Sequence, residues 1–328
     1  MRTLCRLPQA IGPLGWRGTA RAVLRRLAHW LESPLDRREQ SAPTHQSASV
    51  VVETDLAAPT LISPDYVAFQ QMPARVIARY LNLSGCQVLE IGGAQAALSA
   101  RAFLDAGAAR VVVTGLDHIE QAEESKDQRL VILQADALDL LHHLQPASFD
   151  VVFGLSIIEH IHNPGLFLQQ VQAVLKPGGL ALFEGYPLWT SALGHHLWVA
   201  SWGGSYQGRS SGNYLFAPIA AVTSSNPVPD WGHLLMCEAE LEHVLQAQSL
   251  PGQDIACILN WIYHNPELNR LDSTSICSAY TTSGLTVLEA NIKRQDVPAD
   301  ILTKLRELHG ERIDYGLSGL VIVLAKPE

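Results

Sequence analysis

Short apolar runs alternate with helix-like spacers from residue 88 onward. The first run covers residues 88–91 and leads through Gly92 and Gly93 into an Ala-rich stretch that keeps helical spacing to Asp105. A strand, a turn of small residues and a helix form a βα unit, and the N–H groups at the start of its helix can meet a ligand. Alone, this unit is compatible with any α/β crossover.

Four further apolar runs extend the pattern. They span residues 110–117, 130–137, 149–161 and 174–186. The last run passes through Pro177, Gly178 and Gly179, which predict a turn between a helix and a fifth strand. Apolar strands separated by helices indicate a parallel sheet, with ligand chemistry at the carboxyl ends of the strands.

The remaining patterns predict how the rest of the chain is divided. Helices are expected over residues 63–84, 237–248, 251–269 and 299–309, and two strands over 285–292 and 317–325. Residues 185–270, rich in Trp, Gly and His, predict an insertion after strand five that forms a lid or substrate pocket. Residues 1–60 combine an Arg-rich helix with a Ser/Ala/Pro-rich linker, and residues 61–328 are predicted to be the folded domain. The Arg-rich helix suits an organelle transit peptide, an anionic membrane surface, or packing on the domain or a partner subunit.

Together these motifs resemble the core of a class I S-adenosylmethionine-dependent methyltransferase of the small-molecule type. The resemblance covers residues 88–186 and rests on Glu90, before the glycine turn, and on Leu-Lys-Pro-Gly-Gly at residues 175–179. It implies an α/β fold with a Rossmann-like, doubly wound seven-stranded sheet whose last strand is antiparallel, plus the large insertion after strand five. It also implies that S-adenosylmethionine is the cofactor.

The resemblance assigns cofactor contacts to residues at the strand ends. Glu90 would polarise the methionine amino group, Asp117 would bind the ribose and Asp136 the adenine amine. Two of the three family glycines are replaced by Ala94 and Ala96, and Asp117 lies slightly later than the family's acid. The full expected set is Glu90, Gly92, Gly93, Asp117, Asp136, Ala137 and Ser156.

A hydroxyl acceptor needs a base, and histidine is the usual choice because its pKa lies near neutrality. His195 and His196 are the first candidates, since they lie among the tryptophans of the insertion. Adjacent side chains point in different directions, so only one of the two is expected to face the reacting atom. His233 and His160 are the further candidates. Several His and acidic groups around one pocket could also hold a divalent metal, but they lack the i, i+4 His spacing or carboxylate cluster of a typical site, so no metal ligands are assigned.

Composition restricts the class of protein and its partners. The chain has 328 residues, of which 47% are apolar, so that a large core can be buried. The net charge of −9 argues against nucleic acid as the main partner. The five cysteines lack metal-like spacing and predict reduced thiols in a cytoplasmic protein. No apolar run approaches the ~20 residues that span a bilayer.

Three functions compete at this point. The first is S-adenosylmethionine-dependent methylation of a small molecule such as a sugar or secondary metabolite, most simply at oxygen. The second is a non-catalytic cofactor-binding or scaffolding protein in which the altered glycine turn has lost affinity. The third is a nicotinamide-dependent oxidoreductase, which Glu90 and the Pro-Gly-Gly turn disfavour. We predict the first, with a small-molecule acceptor as partner and with a homodimer compatible with the sequence.

Overall fold

A seven-stranded sheet forms the centre of the molecule in a computed structural model that describes residues 64–93, 98–116, 127–197 and 227–328. The strand order is β3-β2-β1-β4-β5-β7-β6, with β7 antiparallel to both of its neighbours and the first five strands parallel. The predicted Rossmann-like, doubly wound sheet with an antiparallel last strand is therefore confirmed. The strands are β1 (Gln87–Ile91), β2 (Arg110–Gly115), β3 (Leu130–Gln134), β4 (Phe149–Gly154), β5 (Leu175–Gly185), β6 (Thr286–Arg294) and β7 (Leu317–Ala325).

Helices flank the sheet, and several lie in the described residues between β5 and β6. Helix α5 begins where the Asn163 side chain accepts a hydrogen bond from the Leu166 N–H, with Pro164 in its first turn. The helices are α1 (Pro64–Gln70), α2 (Met72–Ile77), α3 (Leu98–Asp105), α4 (Leu140–His143), α5 (Pro164–Val174), α6 (Gly232–Leu235), α7 (Glu238–Ala247), α8 (Gly252–Leu259), α9 (Ser273–Thr282) and α10 (Ala299–His309). A π-helical turn, Asn260–His264, continues α8.

Several predicted boundaries are wrong. The helical segment expected over 63–84, interrupted at Pro73, ends earlier than expected, at Ile77; Pro73, which has no N–H, lies in the first turn of α2 and separates it from α1. Strand β4 ends at Gly154, since Ser156 adopts a left-handed φ of 50° and turns the chain. The helix expected over 251–269 ends at His264, and α9 was not predicted.

The two faces of the sheet pack against separate apolar cores, as the alternation along β1 requires. Val88 joins one core with Phe103 and Phe153, while Leu89 joins the other with Phe183. The segment after β5 contributes most of a third core. Its members include Leu197, Trp231, Leu241, Ile258, Trp261 and, from α10, Leu305.

Residues 185–270 were expected to form a lid or substrate pocket. The described part of that segment also has an apolar core of its own, and it packs against the sheet as well. Within the described ranges, no helix has the length and apolarity that a membrane crossing requires. The four cysteines described there are all free thiols.

Candidate functional site

A cavity of about 440 Å³ opens at the carboxyl ends of the parallel strands. Its volume is within the range of ligand pockets, roughly 300–1,000 Å³. Four of the predicted cofactor residues line it, and each follows a strand of the sheet. They are Gly92 after β1, Asp136 and Ala137 after β3, and Ser156 after β4.

The glycine turn after β1 forms the floor of this cavity. Gly92 has a φ of 73°, and a Cβ at this position would lie 2.7 Å from Ile157 Cγ2. The N–H groups of Gly92 and Gly93 both donate to the Thr114 carbonyl, at 2.9 and 3.0 Å. Glycine is therefore required at residue 92 both by the backbone and by the close approach of Ile157.

Glu90 lies beneath the glycine turn. Its side chain is only 2% exposed, and the Ser99 hydroxyl donates to Oε1 at 2.5 Å. The Thr114 hydroxyl donates to the Glu90 carbonyl at 3.1 Å. Glu90 thus connects β1 to the first turn of α3 and does not line the cavity. Residues 94–97 and Asp117, the expected ribose ligand, lie outside the described residues.

Two acids approach each other behind the turn that follows β4. The Ser156 N–H and hydroxyl donate to Glu184 Oε2 at 2.9 and 3.3 Å, which holds Ser156 against β5. Burial raises the pKa of Glu184. Burial also raises the pKa of Glu159 well above its usual range, and the neighbouring Glu184 adds to the effect.

His160 is the one predicted histidine that lines the cavity. It is half-buried, and its Nδ1 lies 3.0 Å from the Glu267 carbonyl oxygen. A carbonyl only accepts, so Nδ1 carries the proton and Nε2 carries the lone pair. Burial lowers the pKa of His160, which keeps the imidazole neutral near pH 7.

Residues 265–270, which the sequence did not single out, form the opposite wall. Pro266 and Glu267 line the cavity. The Asn269 side chain donates to the carbonyls of Ile158 and Ile161 at 2.7 and 3.0 Å, and its N–H donates to Glu159 O. These bonds fix the wall to the turn after β4, although more than 100 residues separate the two along the chain.

The other three candidate bases do not line the cavity. His195 and His233 are buried beside Trp189 in the third core, with the two rings 5.2 Å apart. Their burial lowers the pKa of His195 well below its usual range and that of His233 to about 4. The expectation that His195 or His233 faces an acceptor is therefore not met, because apolar residues of the insertion enclose both.

His196 does not line the cavity but lies next to His160, which does. The two rings are 5.6 Å apart at an angle of 64°, and His196 Nε2 lies 2.7 Å from the Pro187 carbonyl oxygen. Burial lowers the pKa of His196 to about 3. Of the adjacent pair, His196 therefore lies beside His160, whereas His195 lies beside His233, and which of them could face a reacting atom stays a prediction.

The central part of the chain is similar in sequence to known methyltransferases. Residues 89–183 match the family model described as a methyltransferase domain. The chain is 36% identical over 109 residues to a ubiquinone biosynthesis O-methyltransferase of Idiomarina loihiensis, a match that covers 31% of this chain and 43% of the relative. It is 33% identical over 82 residues to the human tRNA N(3)-cytidine methyltransferase METTL6, covering 24% and 29%. The chain thus spans half or less of the length of the curated relatives it matches.

Solved structures are similar at low identity. An S-adenosylmethionine-dependent methyltransferase from Mesorhizobium loti is 15% identical with a TM-score of 0.44, over 78% of this chain and 97% of that chain. A phosphoethanolamine N-methyltransferase from Haemonchus contortus, in complex with S-adenosylmethionine, is 17% identical with a TM-score of 0.43, over 79% and 53%.

Proposed function

We propose that this chain, whose residues 89–183 form a class I methyltransferase domain with S-adenosylmethionine as its cofactor, methylates an oxygen atom of a small molecule. The observation that carries the proposal is the cavity at the strand ends, where predicted cofactor residues and His160 line one space. Methyl transfer from a sulfonium is an in-line displacement, so that positioning and exclusion of water account for most of the catalysis.

One side of the cavity binds the cofactor and the other binds the acceptor. The glycine turn after β1 and the residues after β3 contact the cofactor, with Asp136 toward the adenine. Glu90 supports the turn from below, through Ser99. The turn after β4 and the wall formed by residues 265–270 contact the acceptor. His160 Nε2 faces this side and accepts the proton of the acceptor hydroxyl as the oxygen attacks the methyl carbon.

The nature of the acceptor is also a proposal. Several of the curated relatives are named ubiquinone biosynthesis O-methyltransferases, which favours a hydroxylated small molecule. METTL6 is named for a tRNA substrate, but the net charge of −9 disfavours a polyanion here. A cytoplasmic location and a homodimer stay predictions.

Binding and turnover together test this function. Calorimetric titration with S-adenosylhomocysteine should show one site per chain, and transfer of a labelled methyl group should occur to a member of a panel of phenols, catechols and sugars but not to tRNA. His160→Gln should lower turnover by ~10²–10⁴-fold at saturating cofactor, with S-adenosylhomocysteine affinity retained. The exposed His243→Gln serves as the matched control.

The outcomes separate the competing functions. A chain that binds S-adenosylhomocysteine but methylates nothing in the panel supports the non-catalytic alternative. Failure to bind S-adenosylhomocysteine would refute the cofactor assignment itself.

A further inference from the structure

We propose that Glu159, His160 and His196 bind one divalent transition-metal ion of the zinc type at the acceptor side of the cavity. Each residue offers one potential ligand atom, and the three atoms lie within 4.8 Å of one another. Zinc bonds of ~2.0–2.2 Å at tetrahedral angles separate ligand atoms by roughly 3.4 Å. An ion would therefore draw the three side chains slightly inward. Two imidazoles and one carboxylate form a donor set that zinc uses in catalytic sites, with a position left open.

The hydrogen bonds of the two histidines leave one ring nitrogen of each with its lone pair available. His160 Nδ1 faces the Glu267 carbonyl at 3.0 Å, and His196 Nε2 faces the Pro187 carbonyl at 2.7 Å. Each carbonyl fixes the proton on the nitrogen that it contacts, so the lone pairs lie on His160 Nε2 and His196 Nδ1. A second hydrogen bond from the non-ligating nitrogen to a carbonyl is the arrangement that orients metal-bound histidines.

Glu159 is the independent observation that points to a cation. It is 3% exposed, its Oε1 accepts a long 3.4 Å hydrogen bond from the Tyr186 N–H, and its own backbone N–H also bonds to the carboxylate. Oε2 has no hydrogen-bond partner among the described residues. A buried carboxylate with one oxygen unsatisfied and no cation beside it is unfavourable in its charged form, and the nearby acid Glu184 makes ionisation harder still. A divalent ion would supply the missing positive charge and the missing partner for Oε2.

Two histidines that do have an unsatisfied nitrogen form no comparable site among the described residues. His195 Nε2 and His233 Nδ1 also lack hydrogen-bond partners among the described residues. However, in the described part of the chain only Glu159, His160 and His196 bring three potential ligand atoms together. An ion at that place would also lie beside the cavity, because His160 is part of its lining.

One use of the ion follows if the proposed methyl transfer is correct, and it rests on that function. The acceptor hydroxyl would bind at the open position and lose its proton to solvent. Its oxygen would then form the O–CH₃ bond as the C–S bond breaks and the electron pair goes to sulfur. His160 Nε2 would then act as a ligand, and the ion would replace the imidazole as the activating group.

Metal binding is testable without cofactor or acceptor. The full chain is first freed of metal with a chelator. It is then titrated with Co²⁺, and binding is measured by the visible absorption of the bound ion. Zn²⁺ is added last, to compete with Co²⁺. We expect one tightly held ion per chain, without the near-ultraviolet band that a thiolate ligand produces. Glu159→Gln and His196→Gln should each weaken binding at least 10–100-fold, as even loss of an orienting partner does. The exposed His243→Gln should bind as the unmodified chain does.

Folding and function are controlled separately. Thermal melting identifies which variants are folded, and Gln is nearly isosteric with the buried Glu159 carboxyl. Unchanged Co²⁺ affinity in either folded variant, a thiolate band, or no tight ion in the unmodified chain would overturn the proposal. If neither variant folds, the Tm of the unmodified chain is measured with and without Zn²⁺. A rise in Tm that is also seen in His243→Gln supports the proposal, and the absence of a rise overturns it. A chain that binds Co²⁺ but not S-adenosylhomocysteine would refute only the proposed function.

Discussion

Acidification should destabilise this fold through its buried histidines, and His233 offers the clearest test. It is 4% exposed, its Nε2 contacts the Trp189 carbonyl at 2.7 Å, and burial lowers its pKa to about 4. An unfolded histidine has a pKa of ~6.5. Above that value both states are neutral and the full stability is present. As the pH falls below it, the unfolded chain binds a proton that the folded chain refuses, so stability is lost down to about pH 4.

The size of the effect follows from the two pKa values. Between about pH 7.5 and pH 5, the difference in proton binding at His233 lowers the free energy of unfolding by about 2 kcal/mol. His195 and His196 act in the same direction, because burial lowers their pKa values too. Glu159 and Glu184 act in the opposite direction, since burial raises theirs. The pH dependence of unfolding of the unmodified chain alone therefore does not give the contribution of His233.

A comparison of two chains removes these other contributions. His233→Gln keeps an amide N–H that can donate to the Trp189 carbonyl but does not titrate. Urea unfolding at about pH 7.5 and pH 5 should show that the variant loses about 2 kcal/mol less stability over this interval than the unmodified chain. The exposed His243→Gln should behave as the unmodified chain. Equal losses in the unmodified chain and His233→Gln would refute the buried, neutral assignment.

Four further predictions concern the cavity and the domain boundary. Gly92→Ala should lower stability by about 1–3 kcal/mol in urea unfolding, because Ala would hold a positive φ against Ile157. Glu90→Ala, which removes the support beneath the glycine turn, and Asp136→Ala, which removes a proposed cofactor contact, should each weaken S-adenosylhomocysteine binding by about 1–3 kcal/mol in calorimetry, and unchanged affinity in both would contradict the cofactor assignment. Asn269→Ala should destabilise by about 1–3 kcal/mol, since two carbonyls lose their donor, whereas no change would mean that the wall is held by other contacts. A chain that starts at Leu56 should still fold and bind S-adenosylhomocysteine, and an insoluble product would place the Arg-rich segment within the fold.

The sheet could be predicted because each of its strands carries its own local signal. The apolar, β-branched runs in β1, β2 and β4 mark buried parallel strands, and β7 agrees with its predicted bounds, residues 317–325. The ends of the strands were less accurate, because an apolar run continues into the turn that follows it. Ile157 and Ile158 extend the pattern of β4, yet they pack beneath the cavity after the chain has turned at Ser156.

The histidines show why a candidate site is harder to predict than a fold. His160, His195, His196 and His233 carry the same chemistry in the sequence, and their different roles depend on which core each enters. The partner of His160, the Glu267 carbonyl, is 107 residues away along the chain. No periodicity or motif reports a contact between a backbone carbonyl and a side chain at that separation.

The wall at residues 265–270 links the insertion to the turn after β4. Arg270 donates to carbonyls at the end of the π-helical turn, Ile262 and Asn265, and its guanidinium lies over the Trp189 ring. Asn269 holds the same segment to the turn after β4. Among the described residues, those after β1 and β3 that we propose to contact the cofactor make none of these contacts. If the proposed function is correct, substitutions at Pro266 or Glu267 should therefore change which acceptor fits and leave the cofactor affinity as it is.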